Sequence, residues 1–311
     1  MSPTPPIQFY KAAILIGGTA YPALPNTCVL TCPRNFAIPP IIGNFWAYNY
    51  ADGLRQPVVS VQLVVRDGIG SGDVLSSTFL NYFMLRSQND LAHDVFPISG
   101  GITFVDQGPN AGGVSGNGFV LGGSGICKAN SFSLMASKGD DLIFNCTFAG
   151  TSLDTIGNVT MPGFDERPPL RFNNVNFLQN NLAGKVYRVA VGYTNNLTPN
   201  LALDGTNFPA DVNAGMMQAS LSLTMQGGDS PPVDETQVDM VIYGAGRPSG
   251  VAAHGNSGNS GSALRTFTLP NVINQTRDER RITSPRIMRS YDFACLGAGA
   301  TGNITAPLVI T

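Results

Sequence analysis

The stretch SVQLVV, Ser60 to Val65, alternates: Val61, Leu63 and Val65 fall on one side of an extended chain, and Ser60, Gln62 and Val64 on the other. The stretch SLSLTM, Ser220 to Met225, does the same, with Leu221, Leu223 and Met225 on one side and Ser220, Ser222 and Thr224 opposite. A side-chain period of two makes each a half-buried strand, with an apolar face for a core and a small polar face turned away from it.

The segments downstream of each strand also repeat. After the first come a long insertion, SFSL (Ser131 to Leu134) and DLIFNCTFAG (Asp141 to Gly150). After the second come another insertion, TFTL (Thr266 to Leu269) and RIMRSYDFACLG (Arg286 to Gly297). The order implies two β modules, residues 1–160 and 165–311. SLDTIGNVTMPGFDERPPL, Ser152 to Leu170, has the Gly, Pro and charges of a linker between them. AAILIGGTAY (Ala12 to Tyr21) and KVYRVAVGY (Lys185 to Tyr193) read as early strands. SSTFLNYFMLRSQND (Ser76 to Asp90) reads as a helix, with a serine cap and Phe79, Leu80 and Phe83 at helical spacing. The expected fold class is therefore all-β with one or two short helices, built as two tandem β-sandwich or split-barrel modules rather than a parallel α/β sheet. Two Gly-rich stretches, Ser99 to Gly125 and Gly244 to Ser262, sit at equivalent places in the two units and are expected to be arms reaching a neighbour.

Composition narrows the function. Of 311 residues 43% are hydrophobic and only 12% charged, about half the usual charged fraction of about 25%. So weakly charged a surface suits burial against copies of itself. A net charge of −2 argues against long-range attraction to a polyanion. Thirty-six Gly and 22 Pro favour short strands and many turns over long helices. The N-terminal apolar run, Ala12 to Ile16, is short and lacks a basic flank, so no export signal is expected. No stretch approaches the roughly 20 apolar residues of a membrane-spanning helix, and no membrane partner is expected. Five cysteines, Cys28, Cys32, Cys127, Cys146 and Cys295, lack the spacing of a disulfide framework and read as free thiols. Five Asn-x-Ser/Thr sequons, including that at Asn145, arise from a composition rich in Asn and Thr.

Catalytic chemistry has few candidates. The two histidines are His93 and His254, and the Cys28-x-x-x-Cys32 pair has no companions to complete a zinc site. His93 beside Asp94 reads as a surface pair at a helix end. GGSGICK, Gly122 to Lys128, lacks the Gly-Lys-Ser/Thr of a phosphate loop. HGNSGNSGS, His254 to Ser262, has no nucleophile elbow. The aromatic cluster GNFWAYNY, Gly43 to Tyr50, lacks neighbouring basic residues and suits a core or an interface better than base stacking. No enzyme and no cofactor or metal are expected.

The order of an early AAILIGG strand, a polar-faced strand after a loop, one helix, a closing TFTLPNV segment (Thr266 to Val272) and an RIMRSYDFA strand resembles the tail tube proteins of long-tailed bacteriophages. FNNVNFLQNN (Phe172 to Asn181) and LPNVINQT (Leu269 to Thr276) carry the likeness most clearly, and the second half matches better than the first. The resemblance implies a double-domain version of that family. In it, tube modules would join their sheets with those of neighbours into a channel-lining barrel, three chains giving a pseudo-six-fold ring and rings stacking into a tube. It also implies a virion protein of the tail, assembled in the host bacterial cytoplasm. Its partners would be itself, other tail proteins and genomic DNA passing without specific binding. Ser60, Gln62, Ser220, Ser222 and Thr224 would then line the channel with short uncharged groups, which avoid the salt-dependent grip of Lys and Arg on phosphate.

RDERRITSPRIMR, Arg277 to Arg289, gathers five arginines with Asp278 and Glu279. Mixed signs point to paired contacts with a neighbouring subunit, made by Arg277, Asp278, Glu279, Arg280, Arg281 and Arg286. A solvated hairpin tip and a DNA contact stay open as alternatives. Two further functional classes also stay open: a receptor- or carbohydrate-binding β-sandwich of a tail tip, fibre or adhesin, and a capsid or decoration protein.

Overall fold

The computed structural model describes residues 11–24, 27–32, 34–37, 51–84, 94–107, 115–160, 167, 169–178, 185–200, 207–226, 237–244, 263–275, 280–283, 286–297 and 306–311. The first half contributes β1 (Lys11–Ile16), β2 (Thr19–Ala23), β3 (Val29–Thr31), β4 (Arg34–Ala37), β5 (Ala51–Arg55), β6 (Val58–Val64), α1 (Ser77–Met84), β7 (Ile102–Gln107), β8 (Ser115–Leu121), β9 (Cys127–Ser137), β10 (Ile143–Gly150) and β11 (Leu153–Thr160). The second half contributes β12 (Val175–Leu178), β13 (Lys185–Thr194), β14 (Thr198–Asn200), β15 (Asp211–Asn213), β16 (Gln218–Gln226), β17 (Val238–Tyr243), β18 (Ala263–Leu269), β19 (Asn271–Asn274), β20 (Arg280–Thr283), β21 (Arg286–Leu296) and β22 (Val309–Ile310). A 3-10 turn, Phe172–Asn174, precedes β12.

Fourteen strands from both halves form one sheet, in the order β11-β8-β7-β1-β2-β6-β10-β9-β13-β16-β21-β19, with β3 added on β6 and β20 on β21. This corrects the expectation of tandem sandwiches or split barrels joining into a barrel. The chain is mostly β with one α-helix among the described residues, but no sheet closes: the large one is open, with β11 and β19 at its two ends. The reason lies at the middle. β9 of the first half pairs with β13 of the second from Arg188 opposite Ser137 to Thr194 opposite Ser131, so the sheet runs on through the midpoint of the chain. A second sheet, β12-β17-β18-β22, belongs to the second half alone.

The internal repeat is matched in part. β6 with β10, and β16 with β21, are equivalent antiparallel neighbours. TFTL does not copy SFSL: it lies in β18 of the second sheet, and the next strand, β19, is the one that pairs with β21. The stretch expected to be a linker holds β11, which pairs with β8, and ends at Leu170, fully buried and donating its N–H to the Val65 carbonyl. The first Gly-rich stretch is likewise woven into the sheet as β7 and β8, while most of the second, from residue 245 on, lies outside the described residues.

Below the sheet, the apolar halves of these strands meet α1. Ser76 caps the helix, its Oγ accepting from the Phe79 N–H at 3.2 Å. The helix turns Phe79, Leu80 and Phe83 into the core. The rings of Phe79 and Phe83 join a cluster of tilted and edge-on contacts: Tyr21 lies 4.5 Å from Phe79, and Phe83 lies 5.3 Å from Phe132 and 5.6 Å from Phe148, centroid to centroid. Fully burying each such ring stabilises by about 1.5–3 kcal/mol. The helix thus fixes which face of β6, β9 and β10 points inward.

Two bulges keep that face consistent across the midpoint. In β13 the register shifts between Val186 and Arg188, so that Val186 and Val189, three residues apart, are both buried. In β9 the shift opposite Thr147 and Phe148 leaves Asn130 as the extra residue. The Asn130 carbonyl accepts from the Asn195 N–H at 2.7 Å and its Oδ1 accepts from the Leu197 N–H at 2.9 Å. The bulge therefore ties the first half to the strand end of the second.

Candidate functional site

The opposite face of the same strands is the candidate site. The register of six central strands places its residues in rows that cross both halves. One row runs Gln62, Asn145, Ser133, Gly192, Ser220, Ala294. The next runs Ser60, Thr147, Ser131, Thr194, Gln218. On the other side lie Val64, Ile143, Met135, Ala190, Ser222, Asp292, and then Ser137, Arg188, Thr224, Ser290. With strands about 4.8 Å apart, six of them span about 24 Å from first to last.

All five residues read from sequence as channel-lining, Ser60, Gln62, Ser220, Ser222 and Thr224, fall on this one face, although β6 and β16 are separated by three other strands. The structure adds residues that alternation in the two repeated strands does not reach: Ser131, Ser133, Asn145, Thr147, Gly192 and Thr194. A signal for some of them is present in the sequence, since SFSL alternates as SVQLVV does, with its serines on the side opposite Phe132 and Leu134.

The face is chemically quiet. Its hydroxyls and amides bond to one another: Ser131 and Thr147 share a hydrogen bond at 2.6 Å, Asn145 Nδ2 donates to Ser133 Oγ at 3.2 Å, and Thr224 and Ser290 hydroxyls meet at 3.3 Å. Within these rows the charged residues are Arg188 and Asp292. The Asp292 carboxylate accepts from Ser222 Oγ at 2.5 Å. Gly192 has a steric reason: a Cβ there would come within 2.7 Å of Ser220 Oγ. Such a face offers neutral hydrogen-bonding groups and almost no fixed charge. At the end of β13, β16 and β21, residues of both sides of the sheet, among them Gly192, Ser220 and Ala294 with Tyr193 and Phe293, line a groove of about 1170 Å³.

The subunit-contact candidates are only partly placed. Arg277, Asp278 and Glu279 lie outside the described residues. Arg280 and Arg281 stand in β20 and Arg286 begins β21, so this part of the stretch forms paired strands rather than a bare turn. Arg289, the last arginine, is 4% exposed.

Asp94 departs from its expectation. His93 and the Gly43 to Tyr50 cluster lie outside the described residues, but Asp94 is buried, not a surface group. Lys128 Nζ, from the stretch that fails as a phosphate loop, donates to Asp94 Oδ2 at 2.5 Å, Asp211 Oδ1 at 2.9 Å and the Val212 carbonyl at 2.6 Å. Asp94 Oδ1 also accepts from the Val95 and Ala214 N–H groups, at 2.8 and 2.9 Å. The cluster joins the two halves. An ammonium held by two carboxylates and a carbonyl has all three of its donors engaged, and this is a clamp rather than a reactive lysine.

All five cysteines are free thiols. Burial raises the thiols of Cys127 and Cys146 well above their ordinary range and pushes that of Cys295 up to about 12. None of these three is activated as a nucleophile, which would need a lowered value. Among the described residues no group of His, Cys, Asp and Glu could hold a metal ion, and no helix is long and apolar enough to cross a membrane. No protein-family model matches the chain, and no curated protein is significantly similar to it.

Proposed function

We propose that the chain is a structural subunit of a long-tailed bacteriophage tail, assembling into stacked rings whose channel is faced by the polar rows and through which the genome passes. One observation carries the proposal: a row of uncharged, mostly polar residues, Gln62 to Ala294, runs unbroken across six strands and both halves of the chain. A polyanion moving along a wall is slowed by each Lys or Arg that pairs with a phosphate, because every such contact adds salt-dependent affinity. Serine, threonine, asparagine and glutamine hydroxyls and amides wet the wall without that grip. Three chains per ring would each present one continuous face built from both halves. The other partners of the tube would be further tail proteins, and no cofactor takes part. The weakly charged exterior, 12% charged residues overall, suits burial between copies.

The channel assignment is tested by cysteine accessibility. In a Cys28→Ser, Cys32→Ser background, which removes the two half-buried thiols, Ser60→Cys and Ser222→Cys are labelled with a small maleimide and with a bulky polymer-linked one. In unassembled chains both reagents should react. In assembled tubes the small reagent should still react and the bulky one should be excluded. Equal labelling by the bulky reagent before and after assembly would place the face outside.

A further inference from the structure

Arg289 poses a problem that the proposed function does not answer. It sits in β21 on the core-facing side with Tyr291, Phe293 and Cys295, and is 4% exposed. Its Nε and Nη1 are buried and donate to nothing, leaving three N–H groups unsatisfied. Among the described residues, neither register partner is an acceptor. The register position across β16 holds Met225, and that across β20 holds a second arginine, Arg280. A buried guanidinium stays charged, and an isolated charge away from water is among the most costly groups a fold can hold. Here it lies beside β20, a strand that among the described residues pairs with β21 alone.

We infer that Arg289 is the floor of an oxyanion-binding site at the β20–β21 margin, completed by a phosphate-like or carboxylate group. Both have oxygens placed to accept from a guanidinium, with bonds strengthened by charge and by the dry surroundings. The anion comes either free from solution or as the carboxylate of a second copy of this chain, and the bonds to Arg289 are the same in both cases. Occupancy neutralises the buried charge, so anion binding and stability rise together.

The test uses the full chain and two readouts, with inorganic phosphate as the probe against chloride at matched ionic strength. In dilute protein, phosphate should raise the melting temperature saturably. Arg289→Met, which keeps the stem and removes the charge, should fold, melt no lower than the original chain in chloride, and need about ten- to a hundred-fold more phosphate for the same shift. Sedimentation across a concentration series then separates the sources. If a second copy supplies the carboxylate, the original chain associates in chloride, phosphate competes, and Arg289→Met does not associate. If the free anion is the ligand, association is the same for both chains while the phosphate shift distinguishes them. Should phosphate shift both proteins equally and both associate equally, the site does not exist. Arg289→Lys tests the geometry independently, because it keeps the charge and loses the planar donors; full retention of the phosphate response would also overturn the assignment.

Discussion

Replacing Asp94 by alanine removes three accepted bonds at once: those from Lys128 Nζ and from the backbone N–H groups of Val95 and Ala214. Lys128 keeps Asp211 and the Val212 carbonyl, so its ammonium is weakened but not stranded. Breaking a buried pair from one side costs about 3–5 kcal/mol, and an orphaned buried donor adds about 1–3 kcal/mol. The surviving partners offset part of this. The expected loss is therefore about 3–4 kcal/mol, a large share of the roughly 5–15 kcal/mol that holds most domains folded. Asp94→Asn keeps one acceptor and should lose less. The assay is urea unfolding followed by near-UV circular dichroism of the buried Tyr21, Tyr193 and Tyr291 and by far-UV circular dichroism, and a double-mutant cycle with Lys128→Met should give a coupling of about 1–3 kcal/mol. Because Asp94 and Lys128 come from the first half and Asp211 and Ala214 from the second, the loss should also make the two probes diverge as the halves uncouple. A loss under about 1 kcal/mol with coincident transitions would show that the cluster is not a clamp.

Phe83→Ala opens the ring cluster between α1 and the sheet and should cost about 3–5 kcal/mol, read from the same unfolding curves. Gln62→Lys or Ser222→Lys adds a charge to the neutral face and should leave assembly intact while slowing genome passage; unchanged ejection kinetics would count against the channel role. Arg280→Glu with Arg281→Glu should impair assembly if β20 meets a neighbouring subunit, and normal assembly would refute that contact. Cys295 gives a pH signature: its thiol is held protonated up to about 12 against an ordinary 9. Its contribution is whole below about pH 9 and is lost as pH rises toward about 12, at up to about 1.4 kcal/mol per pH unit. Cys295→Ala should flatten the alkaline arm of the stability curve, and an unchanged slope would mean the thiol is not protected.

The half-buried strands were legible because alternation with a period of two is a local signal: Val61, Leu63 and Val65 are buried and their neighbours are not, as SVQLVV implies. The helix start was legible for the same reason, since Ser76, Phe79 and Phe83 lie within two turns. The joining of the halves was not, because β9 and β13 are distant in sequence and their pairing, from Ser137 and Arg188 to Ser131 and Thr194, leaves no periodic mark. Without that pairing in view, two repeated strands suggested two separate modules. TFTL misled because its pattern is that of any strand, and which sheet it joins is decided by β17 and β22 rather than by its own residues. The clamp was hidden because Lys128, Asp94 and Asp211 are far apart in sequence and each alone reads as a surface charge. Of the candidate site, alternation gives the five residues named from sequence and, within SFSL, Ser131 and Ser133 as well. That these serines, Asn145 and Thr147 share one face with the five follows only from the register.

If copies of this chain build a tube around the polar rows, negative-stain electron microscopy of the purified protein over a concentration series will show it. Hollow filaments with a regular axial repeat, or rings with a central hole at lower concentration, are the expected result. Discrete small particles without a central channel at every concentration, together with bulky-reagent labelling of Ser222→Cys that never changes, would contradict it.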